Sequence, residues 1–138
     1  MAKYNIKEAK VKDAAYRSMI KPALAEELKG KIYEVVVTNK KYRDPSYTAK
    51  KLAHDINTNT RYISAVVNVK FGMNYSNFVN KHRIEDAVKV LANKEFSDLT
   101  MDEVSEMVGF ANRQSFYAAF YRMKQITPRA YKDQAMGK

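Results

Sequence analysis

Thr100-Met101-Asp102-Glu103-Val104-Ser105-Glu106-Met107-Val108-Gly109-Phe110-Ala111-Asn112-Arg113-Gln114-Ser115-Phe116-Tyr117-Ala118-Ala119-Phe120 reads as two short helices around a tight turn. Thr100 with Glu103 three positions on is a capping-box start, and Val104, Met107 and Val108 give the helix that follows its apolar side. Gly109 supplies the left-handed conformation that a sharp reversal needs. Asn112 can cap the next helix, whose stripe is Phe116, Phe120 and Met123. Thr127-Pro128 then opens a last short helix through Ala130 and Tyr131.

The same grammar occurs once before. Thr48, Leu52-Ala53 and Ile56-Asn57 precede Thr100, Val104-Ser105 and Val108-Gly109 by 52 residues. After the turn the offset becomes 53, pairing Ile63 with Phe116, Val67 with Phe120, Met73 with Ile126 and Phe78 with Tyr131. Asn57 stands at the first turn as a residue that tolerates the left-handed conformation, and Asn59 or Thr60 can cap a helix with Ile63, Val66 and Val67 inward, ended by Gly72. Each unit is a short helix, a turn and a second helix, which is a helix-turn-helix pattern. Between them a long helix is expected from about Ser76 to Asn93, burying Phe78, Val79, Ile84, Ala87, Val88 and Leu91. Ahead of the first unit, Leu24, Leu28, Ile32, Val35 and Val36 form one stripe of a helix that starts at Pro22 and runs to about Asn39, followed by a turn at Lys40–Tyr47. The expected class is all-α. Residues 1–21 form a basic arm or helix, 22–75 the first helix-turn-helix subdomain, 76–93 the connecting helix and 94–138 the second subdomain.

Composition agrees. The chain has 138 residues, 25 Lys+Arg against 15 Asp+Glu, a net charge of +10, four glycines, three prolines and no cysteine. That length suits one domain or two small ones. So few glycines and prolines argue against a turn-rich β fold. The absence of cysteine excludes disulfides, thiolate metal sites and a cysteine nucleophile. No apolar run is long enough to cross a bilayer, and the charged start lacks the apolar core of an export signal. His54 and His82 are the only histidines and have no metal-ligand spacing, and neither a Gly-rich phosphate loop nor a nucleophile elbow is present. Catalysis, a metal and a cofactor are therefore not expected, and a cytoplasmic protein with a polyanionic partner is.

The location of the charge sharpens this. No acidic residue occurs from Ile56 to Ile84, where Arg61, Lys70, Lys81 and Arg83 lie. None occurs from Met107 to Lys132, where Arg113, Arg122, Lys124, Arg129 and Lys132 lie. Local absence of carboxylates matters to a phosphate-facing surface as much as the presence of cations. Both windows begin near the second helix of a repeat unit.

Taken together, these residues resemble the DNA-binding domain of the AraC/XylS family of bacterial transcription regulators. The resemblance covers about Leu24–Tyr131 and is strongest over Tyr47–Tyr131. It is carried by Leu52-Ala53-His54-Asp55-Ile56, Phe71-Gly72-Met73, Arg83-Ile84-Glu85-Asp86-Ala87, Gly109-Phe110, Phe116, Phe120 and Thr127-Pro128. It implies seven helices in two helix-turn-helix subdomains, with two recognition helices that enter successive major-groove segments about one DNA turn, ~34 Å, apart. Carried over by position, the first recognition helix presents Asn59, Thr60, Arg61, Ser64, Ala65 and Asn68 to the bases. The second presents Arg113, Gln114, Tyr117, Ala118 and Tyr121. Arg122, Lys124 and Lys70 are placed against phosphates.

Alanine at 118 replaces an arginine common in the family. It can touch a thymine methyl but cannot hydrogen-bond a base, so the second subdomain is open to two readings, base readout or a phosphate clamp that bends DNA. The implied function is sequence-specific binding of promoter or operator duplex in the nucleoid, as an activator that contacts RNA polymerase, by a monomer or weak dimer. The rival is a helix-turn-helix protein-interaction module with only non-specific DNA affinity, favoured by alanine at both 65 and 118. The chain is either a short stand-alone regulator or a part of a longer one.

Overall fold

The computed structural model describes Ala15 and residues 19–137, so the expected basic arm falls almost wholly outside the described residues. Among those residues every regular element is helical. Seven α-helices follow in order: α1 Pro22–Tyr33, α2 Ala49–Asp55, α3 Thr60–Phe71, α4 Tyr75–Ala92, α5 Met101–Val108, α6 Arg113–Lys124 and α7 Pro128–Ala135. α1 continues as a wider helical turn over Glu34–Thr38, which carries the coil to Asn39 as the apolar stripe predicts. Short 3₁₀ turns lie at Lys41–Arg43 and Lys94–Phe96.

The helix boundaries follow from local chemistry. The Thr48 hydroxyl accepts from the Lys51 amide at the start of α2, and the Asn59 side chain accepts from the Tyr62 amide at the start of α3. Asn59 rather than Thr60 is thus the cap. Thr100 and Glu103 bond reciprocally at α5, forming the capping box read from the sequence. Asn112 caps α6 through the Ser115 amide, and Thr127 caps α7 through the Ala130 amide. Each cap satisfies an otherwise orphaned amide and contributes about 1 kcal/mol. Asn57, Gly72 and Gly109 all adopt positive φ, at 57°, 73° and 108°.

The chain divides into two compact units. The first comprises residues 1–39 and 48–78, the second 40–47 and 79–138. In the first, α1 and α2 both pack on α3. Its core is made by Ala25, Leu28, Ile32, Val36, Leu52, Ile56, Ile63, Val66, Val67 and Phe78. Phe78 stacks on Phe71 with ring centroids 4.5 Å apart. Leu24, expected in the apolar stripe, is instead 36% exposed, and Ala25 is buried. The inward face of α1 is rotated by one residue at its first turn, where a small side chain admits the close approach of α3.

In the second unit, Ile84, Ala87, Val90 and Leu91 of α4 meet Val104 and Val108 of α5 and Phe116, Ala119 and Phe120 of α6. Val90 is buried where the sequence placed Val88, which is only partly covered. Phe110, Phe116, Phe120 and Tyr131 form a chain of tilted and edge-to-face rings with centroids 5.5–5.8 Å apart. Such contacts add to the area these rings bury. Residues 40–47, read as a turn attached to the first subdomain, pack within this second unit, with Tyr42 and Tyr47 buried.

Candidate nucleic-acid interface

Helical spacing decides what α3 can offer. Ile63, Val66 and Val67 are turned into the core, which leaves Arg61, Ser64 and Asn68 at i, i+3 and i+7 along one outward edge. Thr60 and Arg61 are exposed, and Ser64 and Asn68 are half-buried. Arg61 makes no ion pair among the described residues, so its five donors are available to a guanine edge. The Asn68 amide nitrogen donates to the Ser64 carbonyl at 2.8 Å, which leaves its oxygen as the acceptor this side chain can offer. Asn59 is committed through its oxygen to the cap, so only its amide nitrogen can reach a nucleic acid.

Two residues grouped with this edge do not belong to it. Ala65 is 2% exposed and lines a depression on the α1 side with Ile20, Pro22 and Ala25. Its burial places it in the packing of α3 on the α1 side. Lys70 points the same way. Its ammonium meets Glu26 of α1 at 2.6 Å with the side chain 26% exposed, and this pairing holds the Glu26 carboxyl below its ordinary range. In the free protein Lys70, expected against phosphate, pairs α3 with α1.

On α6, Phe116, Ala119 and Phe120 are buried. Arg113, Gln114, Ala118, Tyr121 and Arg122 are exposed, and Lys124 is exposed in the last turn. Gln114, Tyr117, Ala118 and Tyr121 share one outward face. Tyr117 is half-buried, with its ring edge-on to Phe116 at 5.9 Å. Tyr121 is 54% exposed, an unusual position for a ring that large in a small domain. Arg113 lies 3.5 Å from Asp102 of α5, an exposed pair that contributes little and holds the guanidinium only loosely. The outer face of α6 is acid-free, but α5 beside it carries Asp102, Glu103 and Glu106, all exposed.

Sequence reasoning did not single out the residues that fix the turn before α6. Ser105 is a buried polar side chain that donates to the carbonyl of Asn112 at 3.1 Å, tying α5 to the cap of α6. Arg83 donates to the carbonyls of Tyr42 and Asp44 and to the Asn80 side chain. Among the described residues no group of three or more His, Asp or Glu side chains could hold a metal ion, and no helix is long and apolar enough to cross a membrane.

Comparison with known proteins agrees with this geometry. A family model described as a helix-turn-helix domain matches residues 52–134. The chain is 26% identical over 87 residues to an uncharacterized HTH-type transcriptional regulator, YtdP, of Bacillus subtilis, covering 63% of this chain and 11% of that protein. It thus spans about a tenth of the length of that curated relative. Among solved structures it is similar to the C-terminal domain of the two-component response regulator yesN from Fusobacterium nucleatum, with 28% identity, a TM-score of 0.64 and coverage of 78% of this chain and 97% of that one. A transcriptional regulator described by its AraC-type DNA-binding domain, from Chromobacterium violaceum, shares the fold at 16% identity, with a TM-score of 0.66 and coverage of 80% and 96%. Fold and family are those of DNA-binding domains of transcription regulators, not of enzymes. With 83 of its 138 residues inside the family model and the paired units built as that family requires, the chain belongs to the AraC-type helix-turn-helix family of DNA-binding domains.

Proposed function

We propose that the chain is a sequence-specific reader of double-stranded DNA that regulates transcription, with α3 and α6 entering two successive major-groove segments. The observation that carries this reading is the repetition of one device. In each unit an asparagine caps the second helix of the pair, the apolar stripe of that helix is buried, and its outward face is free of carboxylates. A helix so presented, with free N-terminal amides and cations beside it, suits a groove bounded by phosphates.

In this reading Arg61 takes a guanine edge and Asn68 accepts from an exocyclic amine. Thr60, Ser64 and the Asn59 amide set the register of α3. On α6, Arg113 and Gln114 address bases, Ala118 sits against a thymine methyl, and Tyr117 and Tyr121 flank it. Arg122 and Lys124 grip phosphate. Contact with RNA polymerase, an activating role, a monomer or weak dimer and action in the cytoplasm on nucleoid DNA belong to the same proposal and follow the family resemblance. The alternative, a protein-interaction module, keeps Ala118 in its favour but loses Ala65, which is buried for packing.

Titration of an enriched duplex against a scrambled one at two salt concentrations tests the proposal. A reader with several phosphate contacts loses affinity with a log–log slope of about 0.9 per neutralised phosphate and keeps a preference for the enriched duplex at both salts. Weak binding that is equal for the two duplexes supports the interaction module instead.

A further inference from the structure

Residues 40–47 are tied into the second unit more firmly than a surface connection requires. Arg43 forks onto Asp86 of α4, with Nε 2.7 Å from Oδ2 and an Nη 3.0 Å from Oδ1. The Tyr42 hydroxyl donates to the same Oδ2 at 2.9 Å. Arg83, one turn earlier on α4, donates through Nε to the Tyr42 carbonyl at 2.6 Å and through an Nη to the Asp44 carbonyl at 3.1 Å. Such charge-assisted, bidentate bonds fix orientation as well as distance.

The other side of this loop bears on the turn between α5 and α6. A Cβ on Gly109 would overlap the carbonyl oxygen of Tyr42 and come within 2.7 Å of the Arg43 Cα. The next residue, Phe110, lies under the Arg83 guanidinium, 5.6 Å from ring centroid to Cζ. Its amide donates to the carbonyl of Ser105, whose hydroxyl in turn donates to the carbonyl of Asn112, the cap of α6. The turn is therefore held between the loop backbone on one side and α5 on the other. Pro45 at the loop tip lines the surface beside Phe110, Ala111, Arg113 and Gln114.

We propose that Arg43 is a positioning residue for DNA readout: by fastening residues 40–47 to Asp86 it fixes the Gly109–Phe110 turn and so sets the direction in which α6 leaves it. This rests on α6 being a recognition helix. The Arg43 side chain is 38% exposed, but its Nε and one Nη are taken up by Asp86, whose side chain is 10% exposed, which favours action through the turn over a phosphate contact. Misplacing a reading helix by about 1 Å spoils base contacts while leaving non-specific phosphate attraction in place.

Three variants of the whole chain, Arg43→Gln, Arg43→Lys and Asp86→Asn, separate positioning from simple charge. Amide hydrogen exchange of the free protein is read at residues 109–115 and at 60–71, and hydroxyl-radical footprints are taken on the enriched duplex. In Arg43→Gln and Asp86→Asn alike, exchange at 109–115 accelerates about tenfold or more while α3 is unchanged, since only the local opening is eased. Affinity for the enriched duplex falls about tenfold with protection lost under α6 alone, affinity for scrambled duplex changes less than about twofold, and the salt slope stays as in the parent. Arg43→Lys, which keeps the charge without the fork, resembles Arg43→Gln.

If Arg43 were a phosphate contact, Asp86→Asn would release it and tighten binding to any duplex, Arg43→Lys would restore binding, and Arg43→Gln would lower the salt slope by about 0.9. That pattern overturns the proposal, as does unchanged exchange at 109–115 in both Arg43→Gln and Asp86→Asn. Failure of the parent protein to enrich any duplex would sink the DNA-reading function itself, and the exchange arm would still decide whether Arg43 sets the turn.

Discussion

At Gly109 two constraints coincide, a φ of 108° and a loop backbone where a side chain would stand. Gly72 ends α3 with a φ of 73° but has open space, with nothing within 4 Å, where a methyl group would stand. The two glycines therefore respond differently to alanine. Gly72→Ala costs about 1 kcal/mol for the left-handed conformation alone. Gly109→Ala adds the displacement of Tyr42 and Arg43 and costs about 2–5 kcal/mol, read as the shift of a urea midpoint. Equal losses at the two sites would show that the loop does not bear on the turn. The sequence revealed the conformational demand on Gly109, because a turn glycine between two helices is local information. It could not reveal the close approach, which depends on a segment more than sixty residues away. Arg61 was carried over by position from the family resemblance, and the structure leaves it exposed. Arg61→Ala should weaken binding to the enriched duplex by about 1–3 kcal/mol and relax one base position, whereas Lys124→Ala should weaken all duplexes alike. Equal effects of Arg61→Ala on enriched and scrambled duplex would contradict its reading of a base.

Among the elements, those written by caps and periodicity were the legible ones. α5 begins at a capping box and ends at a glycine, and α6 begins at Asn112 and buries Phe116 and Phe120, all of it readable within a dozen residues. α1 was legible as a helix but not in its rotation. Leu24 and Ala25 are adjacent apolar residues, and only the approach of α3 decides that the smaller one goes inside. The burial of Ala65 was hidden for the same reason. A small residue on a recognition helix is compatible with a groove or with a neighbouring helix, and the sequence does not say which.

α4 carries a group whose titration reports on packing. His82 is half-buried on this helix, 3.6 Å from Glu85 and 6.3 Å from the Tyr42 ring between centroids. Burial lowers its pKa from the usual 6.5, and the opposing pull of Glu85 is the smaller effect. Folding therefore favours the neutral ring. The unfolded chain binds the proton more readily, so the stability linked to His82 is fully present above pH 6.5 and is lost as pH falls through the depressed folded value. Urea unfolding at pH above 7 and again just below 6 should show this slope, and His82→Gln should flatten it. An unchanged slope in that variant would assign the pH dependence to other groups. The Tyr42 hydroxyl, pushed up to about 12 by burial and by its bond to Asp86, stays protonated throughout this range and keeps donating.

For the whole molecule, the repeat was the most informative feature of the sequence, since an offset of 52–53 residues between two helix-turn-helix patterns constrains class, helix number and the location of both outward faces at once. The division into units was less legible. Residues 40–47 follow α1 in the chain but pack with residues 79–138, and hydrophobic periodicity carries no sign of which partner a connecting segment will choose. Tyr42 and Tyr47 are buried there, two aromatic residues in a stretch that reads as a polar turn. The proposed function requires α3 and α6 each to read DNA. Selection of the full chain on a random duplex library tests it most directly. The expected outcome is an enriched site with two elements about 10 base pairs apart, centre to centre, one of which loses its constraint in Arg61→Ala. Enrichment of one element beside an unspecified flank would contradict base readout by α6, and enrichment of no site would contradict sequence-specific reading altogether.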